Sequence, residues 1–197
     1  MASPGMSALN FLITTAFDLY IMVVAIRFLM QLTRADYHNP LSQFVVKVTN
    51  PLLIPLRRVV PGFAGTDVAA LVLCFLLLFI KLTLFKAMGF SDMIGGYSLS
   101  ISAASWPLIA VLALIALVEL FFNVFIYAII AQAILSWFNT GYNPVYGILH
   151  SITSPVLEPV RKVVPPISGI DLSALVAIIG LQALKMFVIP TLLRVVL

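Results

Sequence analysis

Charge is what this chain has least of: 9% of its 197 residues are Asp, Glu, Lys or Arg, against about 25% in a soluble domain. With 62% hydrophobic residues and a mean hydropathy of +1.16, it is excluded from the water-exposed globular class. A single cysteine, Cys74, rules out an intrachain disulfide and cannot by itself form a metal site. Inside an apolar run it reads as a small buried hydrophobe. The two histidines, His38 and His150, show no metal-ligand spacing, and HExxH, GxSxG and a phosphate-cradling glycine loop are all missing. These absences point away from an enzyme, so no catalytic residue, cofactor or metal site is expected. The net charge of +4 lacks an accompanying aromatic stacking platform, which sets direct nucleic-acid contact aside.

Long apolar runs are what the chain does have. Four can be read, at roughly residues 8–32, 68–90, 108–137 and 172–196, each at or above the ~20 residues a spanning helix needs. No basic residue precedes the first, Asp18 interrupts it and no small-residue cleavage site follows. It is therefore expected to be a retained span and not a signal peptide.

The chain is also a duplication. NPLSQFVVKVTNPLLIPLRRVVPGFAGTDVAALV from Asn39 and NPVYGILHSITSPVLEPVRKVVPPISGIDLSALV from Asn143 superimpose without a gap at an offset of 104, and the register carries on to Lys81 and Lys185. The expected organisation is a first repeat at 8–90 with its motif at 39–67, a loop at 91–105, and a second repeat at 106–197 with its motif at 143–171. Asn39-Pro40 and Asn143-Pro144 read as helix starts, Asn capping free amides and Pro occupying the first helical position. Leu41, Phe44, Val45 and Val48, and Val145, Ile148, Leu149 and Ile152, then follow the i, i+3, i+4, i+7 stripe of an amphipathic helix. At about ten residues, such a helix is expected to lie in the membrane interface. The prolines that follow, Pro51, Pro55 and Pro61 with Pro155, Pro159 and Pro165, predict a bent segment and no long regular helix.

Arg57, Arg58, Arg161 and Lys162 stand among apolar residues in that segment, which suits contact with anionic headgroups. They also set topology. The motif-bearing loops are basic, whereas 91–105 contains Asp92 and no Lys or Arg, so both motifs are expected to face the cytoplasm and the two halves to be parallel. Asp67 and Asp171 open the next spans, where a carboxylate favours the positive helix end; a cytoplasmic cation site is the alternative reading. Gly65 and Gly169 precede them.

Within the spans lie Asp18, Lys81, Glu119 and Lys185, with Lys86 and Arg194 nearer the outer ends. Each central charge costs about 2.5–3.5 kcal/mol in lipid unless it is partnered or wet. Asp18 and Lys81 each sit 14 residues from the motif end of their span, about 21 Å at 1.5 Å per residue. Glu119 lies about a turn farther out than Lys185, with Asn123 and Gln182 nearby. Structural ion pairs within each helix pair are one reading, and a water-lined ion or proton pathway is the other. Arg27, about a turn and a half from its helix end, is expected to reach the headgroups.

The combination of NP, PLLIPLRRVVP and GTD after a membrane span, together with its echo, resembles the tandem repeat of the YggT family of bacterial membrane proteins, which is similar to the YlmG proteins of Gram-positive bacteria and plastids. The resemblance covers nearly the whole chain; the second copy departs by Glu158 at the place of Ile54 and Lys162 at that of Arg58. It implies a multi-pass protein of the bacterial plasma membrane. Its bacterial members are linked to osmotic-stress tolerance, ion homeostasis or cell-division gene neighbourhoods, and its plastid members to cytochrome maturation and nucleoid distribution. No catalytic residue comes with it. The expectation is thus an all-α, four-span, non-enzymatic protein in osmotic or ion homeostasis, partnered by lipid headgroups, other membrane proteins or further copies of itself. An ion channel or transporter subunit is the rival.

Overall fold

The computed structural model describes residues 4–62, 66–138, 143–164 and 172–197. In chain order it contains α1 (Pro4–Leu32), α2 (Pro40–Arg57), α3 (Val68–Met88), β1 (Ser91–Ile94), β2 (Tyr97–Ser100), α4 (Trp106–Phe138), α5 (Pro144–Val163) and α6 (Ser173–Val196). Helices α1, α3, α4 and α6 are long and apolar enough to cross a membrane. The chain is an all-helical membrane protein of two repeated helix pairs, α1 with α3 and α4 with α6, each joined through an amphipathic helix. Helix α4 is central and packs on α6, α3, α5 and α1. Most core residues form one cluster around α1, α3 and α4, including Val24, Met30, Leu82 and Ala113 at 0% exposure. The outward faces of α1 and α6 remain apolar and exposed, as at Leu19, Ile179 and Phe187, which in a bilayer costs nothing.

The amphipathic helices differ from the expectation of a short helix followed by a bent segment. Helix α2 runs 18 residues through Pro51 and Pro55, and α5 runs 20 through Pro155 and Pro159. Both pairs of prolines are four residues apart and exposed, so each pair stacks on the outer face of its helix. The opposite face is buried, through Val45, Thr49 and Leu53 in α2 and Ile152, Thr153 and Leu157 in α5. Burying each apolar side chain contributes about 1.5–3 kcal/mol, comparable with the ~3 kcal/mol cost of a helical proline. Tertiary packing thus carries the helix across both breaks.

Both helix starts are as their sequences indicate. Asn39 Oδ1 accepts from Leu41 N at 2.9 Å, and Asn143 Oδ1 accepts from Val145 N at 2.9 Å, with Pro next in each chain segment. The side-chain amide of Asn39 additionally donates to Pro144 O at 2.6 Å, joining the two motifs. Asp67 caps α3 by accepting from Ala70 N at 3.3 Å. Asp171, Gly65, Gly169 and Pro165 lie outside the described residues.

Residues 91–100, expected from the sequence to be part of a loop, form an antiparallel hairpin that pairs Asp92 with Leu99 and Ile94 with Tyr97. Its two-residue turn, Gly95-Gly96, has φ of +63° and +83°, the backbone that a tight hairpin demands and glycine supplies. A Cβ on Gly95 would stand 2.6 Å from Cγ2 of Ile189, so the turn is also pressed against α6. Asp92 and Ile94 face inward while Ser91 and Met93 face out.

Candidate functional site

The site is a cluster of charges between the helices at the hairpin end of the bundle. Lys81, on α3, is 4% exposed. Its Nζ donates to Asp18 Oδ1 on α1 at 2.9 Å and lies 3.0 Å from Asp92 Oδ2 on β1. Lys81 thus bridges two carboxylates of unequal setting, Asp92 with 9% of its side chain exposed and Asp18 with 50%. Its ammonium also lies 5.5 Å from the Phe85 ring centroid. Asp92 Oδ1 accepts from Met93 N at 3.0 Å. Burial pushes the Asp92 carboxyl above the ordinary range, and the Lys81 charge draws it partly back.

In the second repeat, Lys185 on α6 donates to Asn123 Oδ1 on α4 at 2.9 Å, and Glu119 Oε1 is 3.9 Å away. The other oxygen, Glu119 Oε2, accepts from Gly95 N at 2.8 Å and anchors the hairpin turn to α4. The hairpin therefore ties the repeats together at both ends of its first strand: Asp92 reaches Lys81 in the first and Gly95 reaches Glu119 in the second.

These contacts reveal a correspondence hidden by the ungapped offset. The motifs and second spans match at 104, but the first spans match at 105, so that Asp18 corresponds to Asn123 and Arg27 to Gln132. In each repeat the residue at the first of these positions bonds the lysine of the second span, at 2.9 Å in both. In each, the residue at the second position bonds the threonine of the amphipathic helix. Arg27 Nη1 donates to Thr49 Oγ1 at 2.6 Å, Asn50 Oδ1 at 2.8 Å and Val46 O at 2.9 Å; Thr153 Oγ1 donates to Gln132 Oε1. Arg27 is 5% exposed. The expectation that it reaches the headgroups is corrected, because its guanidinium is buried and held by three acceptors on α2. Two polar cross-links per repeat are thus kept in place; the residue on the first span is charged in the first repeat (Asp18, Arg27) and an uncharged amide in the second (Asn123, Gln132).

Among the basic motif residues, Arg57 pairs with Asp67: Nε donates to Oδ1 at 3.4 Å, and Nη2 to Oδ2. Asp67 therefore serves a helix cap and an ion pair at once. Arg58 and Lys162 are exposed, and Arg161 is partly buried. Lys86 donates to Ser102 O at 3.1 Å and Ala104 O at 2.5 Å, with its ammonium 5.9 Å from the Trp106 ring centroid. Among the described residues no group of three or more His, Cys, Asp or Glu could hold a metal ion.

An open cavity of about 590 Å³ adjoins the charge cluster between α1, α3, α4 and β1, and Asp18, Lys81, Asp92 and Glu119 line it. Asn10, Thr14 and Asp18 supply a polar stripe from α1. A second cavity of about 690 Å³ lies between α4, α5 and α6 at the motif end, and the two share no lining residue.

Asp92 is the functional candidate that sequence reasoning missed. Its signal was present: two alternating four-residue runs around Gly-Gly mark a hairpin, and the hairpin carries residue 92 inward.

Comparison with known proteins matches the CCB3/YggT family model to residues 6–88 and 111–192. The two matched segments begin 105 residues apart and end 104 apart, the same one-residue difference that the contacts show. An uncharacterized protein of Pseudomonas aeruginosa is 40% identical over 188 residues, spanning 94% of this chain and 90% of its own length. The uncharacterized protein YggT of Escherichia coli K12 is 35% identical over 182 residues, spanning 92% and 89%. The uncharacterized protein ycf19 of Porphyra purpurea is 36% identical over 66 residues, 32% of this chain and 70% of its own. No solved structure matches. With both repeats matched and near-full-length relatives above 30% identity, the chain belongs to the CCB3/YggT family.

Proposed function

We propose that this chain is a non-enzymatic protein of the bacterial plasma membrane that supports osmotic tolerance and ion homeostasis by organising other membrane proteins, and that its central charges are structural. The observation that carries the reading is that protein groups meet both central lysines, Lys81 through two carboxylates and Lys185 through Asn123 with Glu119 beyond. A conducting path needs such charges along a continuous wet channel. Here the two cavities line different faces of α4, with Val124 and Ile129 buried at 3% and 0%.

One observation favours transport as a second reading: Asp18 is half exposed and faces the 590 Å³ cavity. The two readings part on Asp18→Asn. If the charges are structural, this variant retains Asp92 on Lys81, folds, and restores growth after osmotic upshift to a strain lacking the protein. The purified chain in liposomes then passes K⁺, Na⁺ and H⁺ no faster than empty vesicles. Flux by the purified chain that Asp18→Asn abolishes overturns the structural reading.

A further inference from the structure

The cavity at the motif end lies in the second repeat, between α4, α5 and α6. Its floor includes Ile129, Leu157, Ala174 and Ile178. The corresponding residues of the first repeat, Val24, Leu53, Ala70 and Cys74, are all 0% exposed. Two exchanges on the first span of the repeat distinguish the two places. Arg27, whose guanidinium extends across to α2, is replaced by the shorter Gln132, and Phe28 is replaced by Ala133. Ala174 and Ile178, unlike Ala70 and Cys74, are only partly buried, and Leu175 is 55% exposed.

The cavity opens to the surface beside Leu175 and Trp137, so a lipid chain can enter it and supply the dispersion contacts that its apolar lining atoms otherwise lack. The rim supplies the rest of the chemistry. Ser136, Tyr146 and Arg161 stand around the opening, with Trp137, 81% exposed, beside them. A guanidinium presents its N–H donors in a planar fork that matches phosphate oxygens. The first turn of α6, the positive end of its dipole, borders the cavity at Ala174 and Leu175. An exposed Trp next to a cation is also the side-chain pair found at headgroup level.

We propose that this cavity binds one anionic phospholipid, with an acyl chain against Leu157 and Ile178 and the phosphate at Arg161. The site is independent of whether the charge cluster conducts, because the two cavities share no residue.

The test uses the purified, delipidated full chain, with bound lipid counted by native mass spectrometry and the unfolding midpoint followed in parallel. Phosphatidylglycerol is expected to bind at one per chain and raise the midpoint, with phosphatidylcholine about fivefold weaker for the loss of one headgroup charge opposite Arg161. Inorganic phosphate at the same concentration should do neither. Ala133→Phe, which restores the first repeat's residue, should abolish retention, and Arg161→Gln should keep lipid but lose the preference for phosphatidylglycerol. Should Ala133→Phe fail to fold, Ala133→Leu obstructs the same space with less bulk. Lipid retention unchanged by filling the cavity overturns the proposal, and so does phosphate protecting as well as phosphatidylglycerol, which would make this a free-anion site.

Discussion

Removing the two carboxylates around Lys81 should be far more damaging together than the single losses add up to. Nζ lies 2.9 Å from Asp18 and 3.0 Å from Asp92, and only 5% of the Lys81 side chain is exposed. In Asp18→Asn the lysine keeps a buried carboxylate, and in Asp92→Asn it keeps a half-exposed one. Each single change forfeits one charge-assisted hydrogen bond while leaving an uncharged amide in its place, at about 0.5–1.5 kcal/mol. Asp92→Asn belongs at the lower end, because burial already disfavours the Asp92 charge. The double change strands a buried ammonium, for which about 3–5 kcal/mol is expected. Lys81→Met should cost about as much, since it strands Asp92 in turn, and adding Asp92→Asn should return more than half of that loss. Equilibrium unfolding in detergent, followed by circular dichroism with denaturant, supplies the four free energies of each cycle. Additivity of Asp18→Asn and Asp92→Asn within about 0.5 kcal/mol would refute the bridge. So would Lys81→Met/Asp92→Asn being no more stable than Lys81→Met.

The elevated Asp92 carboxyl gives a pH signature. A pKa above the unfolded value contributes stability that is complete below that value and lost as pH rises through the folded one, so wild type should lose stability relative to Asp92→Asn from about pH 4 upward; a parallel pair of pH profiles would deny the shift. Asn39→Ala removes both a helix cap and the bond to Pro144, and should lower stability by about 2 kcal/mol in chemical denaturation, whereas Asn143→Ala removes the cap and should cost about 1. Arg27→Gln imports the second repeat's solution and should express and fold at near wild-type yield, while Arg27→Met leaves Thr49 and Asn50 without their donor and should not. For topology, the exposed Tyr97 is a better reporter than buried Asp92: Tyr97→Cys should react with an impermeant thiol reagent in intact cells and Arg58→Cys should not, and the reverse pattern would invert the proposed orientation.

Much of the architecture was legible because membrane folding leaves strong marks on sequence. Four apolar runs give four spans, since backbone polar groups in lipid can be satisfied only within helices, and the span ends in the structure fall within a few residues of the runs. The Asn-Pro helix starts were legible for a similarly local reason: a cap and a pre-set φ need no distant partner. What could not be read depended on distant neighbours. Pro51 and Pro55 disfavour a helix locally, and only the burial of Val45, Thr49 and Leu53 against other elements outweighs that local preference. The fate of Arg27 likewise turned on α2 packing beside it and offering three acceptors. Asp92 was missed because the hairpin that returns it to Lys81 is only ten residues long and its partner lies on another element.

The one-residue difference between the repeats bears on why the copies can diverge at all. A ladder of matched positions at 104 alone would set Asp18 opposite Phe122 and Arg27 opposite Ala131, and the second repeat would lack both cross-links. One residue fewer between the first span and its motif turns that helix by about 100°, and Asn123 and Gln132 then occupy the positions of Asp18 and Arg27. The partners on the other elements, Thr153 and Lys185, have not moved. The constraint is therefore on a polar contact at each of two depths, and charge on the first-span residue is optional, since an amide can accept from Lys185 as Asp18 does from Lys81. The first repeat is also the one whose lysine the hairpin supplies with a carboxylate, Asp92. By the same logic, transplanting Asn to position 18 should be tolerated while Asp92 remains, and a lone Asp at position 123 should be tolerated because Lys185 is already there to meet it.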